Sequence, residues 1–432
     1  MKKTAVFLAI LCISIQFTFA QSESLEQLLF ELPDVSFKQL DSNIDNATLY
    51  ELRIKQPIDH NDTSKGYFHQ RVYLTHKNYN SPTVIITQGY NIRSPRLQEI
   101  SYVLDANQIE VEHRYFGESM PENLDYNYLN LEQATADLHH INTLFKRIYK
   151  DNKWVSSGIS KGGATTIFYR YFYPEDVDVS VPYVAPINVE YEDKRLYKFL
   201  DNVGSKQCRK DIEAFQKRVL KSRVDILPLL EFYSLGAGAT YNYLGFEEAF
   251  EYAVLEYPFS FWQYGADCNA IPDKNASASE NTKYLNAISD ITFFGDDLIS
   301  AYGSHYYQSA TEMGYYGYET KPFKNLLKAL PTDSNPHATF MPNKMKAAFN
   351  GDLLDEVNAW LKTDANKMIY IYGSIDTWTG TGVTENKKVD SQWFVLDGKH
   401  HGNARIKNFN SEEMARFKTT ISQWLNVNVQ GF

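Results

Sequence analysis

The sequence predicts an α/β fold: a largely parallel sheet with a block of helices inserted ahead of its last strands. Three observations carry that expectation. The β-branched run Thr83-Val84-Ile85-Ile86-Thr87 ends in a glycine turn and has the pattern of a strand buried on both faces. Strand-like and helix-like segments alternate from there to about residue 188, stop, and resume at about residue 343. Between them the chain reads as helices separated by polar, aromatic-rich loops. Alternation of this kind describes a sheet covered by helices, and the block that interrupts it reads as a lid.

Taken in order, residues 1–20 come first. Lys2 and Lys3 precede a short apolar run that ends in Thr18-Phe19-Ala20 before Gln21. This is the layout of a secretory signal peptide cleaved near Ala20. The run is too short for a membrane span, and no later segment is long and apolar enough to be one. Cys12 follows the bulky Leu11, a poor lipid-anchor context. The mature chain is therefore expected in the periplasm or outside the cell.

Residues 21–188 make the first part of the sheet domain. Up to residue 80 they read as short strands in loops, with alternation through Phe68, Gln70, Val72 and Leu74. NQIEVEHRYFGES, from Asn107, is a second short strand ending in charged and aromatic residues. Leu131, Ala134, Leu138, Ile141 and Phe145 have helical spacing. A strand at KWVSS, a turn at Ser160, a helix stopped by Pro174 and a strand at SVPYVAP follow. Residues 189–342 are the helical lid. Residues 343–432 complete the sheet domain: a helix over NKMKAAFNGDLLDEVNAWLKT, strands KMIYIYGSID and SQWFVLDG, and a terminal helix capped by Asn410 or Ser411.

Acidic residues outnumber basic ones 53 to 43, and loss of Lys2 and Lys3 takes the formal charge from −10 to −12. Such a chain has no electrostatic attraction to nucleic acid or anionic membrane. The mature chain keeps Cys208 and Cys268, and export makes one disulfide between them the expectation. Neither lies in a CxxC or beside a histidine pair, which argues against a metal site. The abundant aromatics, 31 Tyr and 26 Phe, read as packing plus some pocket lining.

Gly158-Ile159-Ser160-Lys161-Gly162 is a G-x-S-x-G. It follows an expected strand and opens an expected helix, the context a nucleophile elbow needs. Flanking glycines suit a turn too tight for side chains. The elbow would raise Ser160 at the sheet edge and aim the Lys161 N–H at a developing oxyanion. A serine nucleophile needs a base, and the base an orienting carboxylate. α/β-Hydrolases supply them in the chain order Ser, acid, His at strand ends. Asp376 ends KMIYIYGSID, and His400 and His401 follow SQWFVLDG. Composition alone does not separate the two histidines. The second oxyanion donor is expected in TQGYN, near Gly89 or Tyr90. Gly236 to Thr240, GAGAT, follows no strand and lacks the acidic partner of a nucleotide site.

Several collinear blocks resemble the secreted prolyl tri/tetrapeptidyl aminopeptidases, relatives of prolyl carboxypeptidase and dipeptidyl peptidase II. They are QPIDHNDTSKGYFHQRVYL, EHRYFGES with NLEQATADLHHI, GISKGGATTIFYRYFYPEDVDVSVPYVAPIN, YGSIDTW and HHGNARI. The resemblance implies an α/β-hydrolase fold and an exported serine exopeptidase that releases short peptides from free N-termini, often after proline. It carries nucleophile onto Ser160, acid onto Asp376 and base onto His401, since the family pattern is His then Gly; His400 departs from it. No metal or organic cofactor is needed. An aminopeptidase also needs an anion for the substrate ammonium, and Glu112 and Glu118 are the candidates; Arg114 offers them a structural ion pair instead. An esterase or lipase of the same fold, or an inactive binding protein, are the alternatives.

Overall fold

The computed structural model describes residues 24–332, 340–427 and 429, so the expected signal peptide at 1–20 lies outside the described residues. The strands are β1 (Val35–Leu40), β2 (Thr48–Pro57), β3 (Tyr67–His76), β4 (Thr83–Thr87) and β5 (Asn107–Val111). After them come β6 (Trp154–Ile159), β7 (Val179–Tyr183), β8 (Ile369–Gly373) and β9 (Gln392–Leu396). They form one nine-stranded sheet in the order β1-β2-β3-β5-β4-β6-β7-β8-β9. From β5 to β9 all neighbours are parallel, while β1, β2 and β3 add antiparallel strands at one side.

Alternation along the central strands divides the core in two. Val84 and Ile86 join Val179, Ile369 and Phe394 on one face, under Phe417 and Ile421 of the C-terminal helix. Ile85 points the other way, to Ile109, Leu138, Ile141 and Phe145. The helix Leu131–Phe145 is capped by the Asn130 side chain, which accepts from the Gln133 N–H. The C-terminal helix, Ser411–Leu425, has Asn410 as its cap, with Glu413 closing a capping box.

Two expectations are corrected. The region before residue 80 holds ten-residue strands β2 and β3, paired from Thr48 with His76 to Pro57 with Tyr67, rather than short strands in loops. The helix expected over NKMKAAFNGDLLDEVNAWLKT is confined to Asp352–Trp360. The Asn350 side chain takes the Asp352 N–H, so the helix begins there.

Between β7 and β8 the described residues form helices joined by loops, with isolated bridges pairing Glu192 with Tyr315 and Met368 with Ser180. The helix Phe246–Gln263 is buried on nearly every side, as an element apolar all round must be. Phe215, Ile226, Leu230, Leu285 and Phe294 surround its Phe250, Tyr257 and Phe261. Cys208 and Cys268 are joined as a disulfide across this block. The GAGAT stretch ends the helix Arg223–Ala237, with Gly238 as a left-handed cap. Among the described residues no helix is long and apolar enough to cross a membrane.

Candidate active site

Ser160 sits between β6 and the helix Lys161–Phe172 with φ 59° and ψ −125°, a conformation side chains rarely adopt. The glycines around it answer to backbone, not to flexibility. A Cβ on Gly158 would run into the Gly162 carbonyl, one on Gly162 would come within 2.5 Å of the Thr87 carbonyl, and one on Gly163 within 2.8 Å of the Tyr183 carbonyl. Only glycine lets the helix start this close to β4, β6 and β7. The result is a half-exposed Ser160 at the carboxyl ends of the parallel strands. As first residue of the helix, Lys161 carries a backbone N–H without an intrahelical acceptor, at the positive end of the helix dipole.

Asp376 and His401 come from neighbouring strand ends. β8 closes with Gly373, where any Cβ would collide with the Lys399 carbonyl, so the loop after β9 lies directly against the loop after β8. The Ser374 N–H donates to Leu396 and the Ile375 N–H to Lys399, extending the pairing past the strands. Asp376 is fully buried, and its Oδ2 lies 2.8 Å from His401 Nδ1. Its Oδ1 accepts from the Trp378 N–H at 3.1 Å.

The geometry separates the two histidines. The His400 ring packs against Gly265 of the lid, where a Cβ would approach its Cδ2 to 2.6 Å, and its Nδ1 accepts from the Gly402 N–H. Asp376 is hydrogen-bonded to His401 and not to it. The His401 loop and the lid are also tied together by backbone, since the His401 N–H donates to Gln263 O at 3.0 Å. Thr377 adds a second tie, its hydroxyl donating to Phe259 O at 2.8 Å.

Gly89 packs on the elbow so tightly that a Cβ there would meet Lys161 Cβ at 2.6 Å and the Gly162 nitrogen at 2.7 Å. The Lys161 side chain fixes this approach. Its buried ammonium donates to Gly89 O at 2.8 Å and to Gln308 Oε1 at 2.7 Å, and lies over the rings of Tyr90 and Phe116. Burial pulls its pKa down to about 7. Burial pushes the nearby Glu312 up to about 7.

Ser160 and His401 open into one cavity of about 370 Å³, with Tyr90 on its wall. That size suits a small ligand or a short peptide segment. Its other walls come largely from the lid, among them Glu256, Asp290, Tyr315 and Tyr316. Glu256 is buried and accepts from the hydroxyls of Ser260 at 2.8 Å, Tyr316 at 2.8 Å and Tyr318 at 2.9 Å. Among the described residues these partners are hydroxyls and none is a cation. Burial raises its carboxyl to about 7.

Glu112 and Glu118 are not brought to this cavity, which corrects their assignment to the substrate amine. Glu112 is fully buried in an ion pair with Arg71, and its oxygens also accept from the Ile92 N–H, the Glu118 N–H and the Ser119 hydroxyl. No lone pair is left for a ligand. Glu118 is exposed and pairs with Arg53 at 3.4 Å. Arg114 serves neither of them, being bound at 2.7 Å by both oxygens of Asp137. Glu256 and Asp290 escaped sequence reading because they lie in lid helices and turns with no motif around them. The one available signal was a carboxylate inside an apolar helix, at Glu256 in AVLEYPFSFW.

The family model described as PS-10 peptidase S37 matches residues 23–430. The chain is 32% identical over 382 residues to the prolyl tri/tetrapeptidyl aminopeptidase of Streptomyces mobaraensis, spanning 86% of this chain and 79% of that protein. It is 24% identical over 393 residues to the probable serine protease EDA2 of Arabidopsis thaliana, spanning 77% and 76%. The crystal structure of a Mycobacterium smegmatis proline iminopeptidase superposes over 87% of this chain and 97% of that one, at 10% identity and a TM-score of 0.38. That likeness is too loose to bear on function.

Proposed function

Because the chain belongs to the PS-10 peptidase S37 family of serine peptidases, we propose that Ser160, His401 and Asp376 are its catalytic triad and that it removes short peptides from free N-termini. The observation that carries this reading is the 2.8 Å His401–Asp376 contact beside a cavity lined by His401, Ser160 and Glu256, a buried carboxylate held by hydroxyls.

His401 takes the proton of the Ser160 hydroxyl as its oxygen attacks the substrate carbonyl, while Asp376 holds the imidazole tautomer and stabilises the imidazolium. The N–H groups of Lys161 and of the Gly89–Tyr90 turn donate to the oxyanion. His401 then protonates the leaving amine, and water releases the peptide acyl group by the same steps. The substrate ammonium pairs with Glu256, with Asp290 as the other acidic group on the wall. Burial makes a lone carboxylate costly, and an arriving cation removes that cost by favouring the ionised form.

Release of tri- or tetrapeptides with proline at the cleaved bond follows the Streptomyces relative, and a cavity walled by Tyr315, Tyr316 and Trp378 gives a pyrrolidine ring flat faces to pack on. Residues 1–20 act as an export signal, and the Cys208–Cys268 disulfide fits the oxidising compartment that export would reach. A lipase would need an apolar acyl tunnel, which an acid-lined cavity does not offer.

The test compares kcat/KM for one tripeptidyl anilide with proline at the cleaved bond, free and N-acetylated. Acetylation removes the charge that meets Glu256, so the penalty should reach about two orders of magnitude, in line with a charge-assisted contact of roughly 1.5–3 kcal/mol. Equal cleavage of the two would sink the aminopeptidase reading and favour an endopeptidase or esterase.

A further inference from the structure

Two cavities of the lid meet at a single pair of rings. The cavity that holds Ser160 is bounded by Phe259 and Tyr316, and the same two residues line a second cavity of about 210 Å³ on their far side. They are the residues the two linings share. The rings stack with centroids 3.9 Å apart and planes at 16°. Trp378 packs edge-on against both, at 5.0 Å from Phe259 and 5.6 Å from Tyr316. The partition is therefore one aromatic pair thick, and all three rings are buried.

Glu256 sits at the same partition. Tyr316, which faces both cavities, and Tyr318, which lines the second, each donate a hydroxyl hydrogen to its Oε2. The second cavity continues past Leu255, Trp262 and Phe323 to a rim where Asp201 and Glu319 are exposed. Arg209 at that rim is already committed, its guanidinium donating to the carbonyls of Asn202, Val203 and Gly204. A cationic chain end emerging there would meet carboxylates.

We propose that the Phe259–Tyr316 pair is the end wall of the substrate channel and sets the greatest length of N-terminal peptide this enzyme releases. The inference rests on the aminopeptidase reading above. An extended chain advances about 3.4 Å per residue. With its amine held at the wall by Glu256 and its scissile carbonyl at Ser160, a peptide has a fixed number of residues between them. Residues beyond that number have no room on the near side. The second cavity is the space they would enter if the wall were opened, and it takes the N-terminal residues of longer peptides.

The experiment uses the full mature protein and a ladder of free-amine peptides carrying two to seven residues before one common scissile bond. Active enzyme is counted by fluorophosphonate titration. Wild type should show kcat/KM falling at least tenfold past its preferred length. Phe259→Ala, which leaves the Tyr316–Glu256 contact in place, should raise the value for peptides one and two residues longer by about tenfold relative to its own optimum. Should that variant fail to fold, Phe259→Leu keeps apolar volume but removes the stacking ring, and the same shift is expected, smaller. An unchanged length profile in a variant that titrates as active overturns the proposal. So does a wild type that cleaves all lengths equally from free N-termini. A wild type that releases no short peptide from any free N-terminus overturns the aminopeptidase reading instead.

Discussion

At the sheet edge, each side chain of the proposed triad stands where backbone geometry puts it; across the cavity, the lid presents Glu256, Phe259 and Tyr316 through side-chain packing and hydroxyl contacts. Ser160 is fixed by a turn that only glycines at 158 and 162 permit, and Asp376 by a strand end held against the His401 loop. Glu256 has no such frame. Its position depends on a buried helix, on the stacking of Phe259 with Tyr316, and on three hydroxyls. On the proposed reading the contrast is a division of labour: backbone-defined positions would carry the chemistry, and packed aromatic positions would decide what it acts on.

The sharpest way to break that division is to remove the nucleophile. Ser160→Ala should lower kcat by about five orders of magnitude or more, as losing a triad serine does elsewhere, and leave the fold intact. Fluorophosphonate labelling should vanish with it. A variant retaining more than a trace of turnover would move the chemistry off the elbow.

The second prediction asks whether the lid depends on its cross-link in a way the sheet does not. The disulfide closes a separation of 60 residues, which on the chain-entropy model restricts the unfolded state by about 4 kcal/mol. Cys208→Ser with Cys268→Ser should speed hydrogen exchange in the helices 206–221 and 246–263 and leave β4 to β8 protected. Uniform loss of protection would show the two regions unfolding as one. The oxidised protein, denatured without reductant, should titrate no free thiol.

The third concerns Glu256. Glu256→Gln should lower kcat/KM on free-amine peptides by about two orders of magnitude and change acetylated substrates little. Burial raises this carboxyl to about 7, so in wild type kcat/KM on free-amine peptides should decline as pH falls through that value, and the variant should lack that component. The stability sign runs the other way. A carboxyl with a raised folded-state pKa favours the fold while protonated, and that contribution is lost as pH rises from about 4.5 to 7. Relative to wild type, Glu256→Gln should therefore be more stable at pH 8 than at pH 5, by up to roughly 3 kcal/mol. A pH-independent difference in thermal unfolding would show that Glu256 ionises without penalty.

The same division accounts for how much could be read in advance. The elbow, the strand-end aspartate and the histidine loop were legible because their signals are local: glycines around a serine, and acid and base after β-branched runs. Glu112 was misread for a physical reason. A carboxylate at the end of a parallel strand looks like a site residue, but Arg71, Ser119 and two backbone N–H groups take all its capacity, and those partners lie up to 41 residues away. Glu256 stands out in the sequence only as a carboxylate inside an apolar helix; nothing in its neighbours' identities says that the helix Phe246–Gln263 faces Ser160. Which of the two histidines meets Asp376 is not written in the sequence; His401 Nδ1 lies 2.8 Å from it, while the His400 ring lies against Gly265, 135 positions earlier in the chain.

The smallest expected effect tests a side chain that joins both regions. Lys161 follows Ser160, yet its ammonium reaches Gly89 O in the proposed oxyanion turn and Gln308 Oε1 in the lid. Its backbone N–H is a proposed oxyanion donor, but its side chain touches no substrate in this reading and acts by positioning, holding the Gly89–Tyr90 turn against the elbow. Lys161→Met keeps much of the buried stem and removes both donated hydrogen bonds. Losing an oxyanion donor outright costs about 10²–10³ in kcat; letting the turn drift should cost less, about tenfold, with KM nearly unchanged. A role confined to stability would lower the fraction of enzyme that titrates as active, without changing the rate per active site. Positioning predicts the opposite split. Per titrated site, kcat and the fluorophosphonate inactivation rate should fall together, because the phosphonyl oxygen occupies the place of the oxyanion. If both rates per site match wild type, Lys161 holds the fold and not the oxyanion turn.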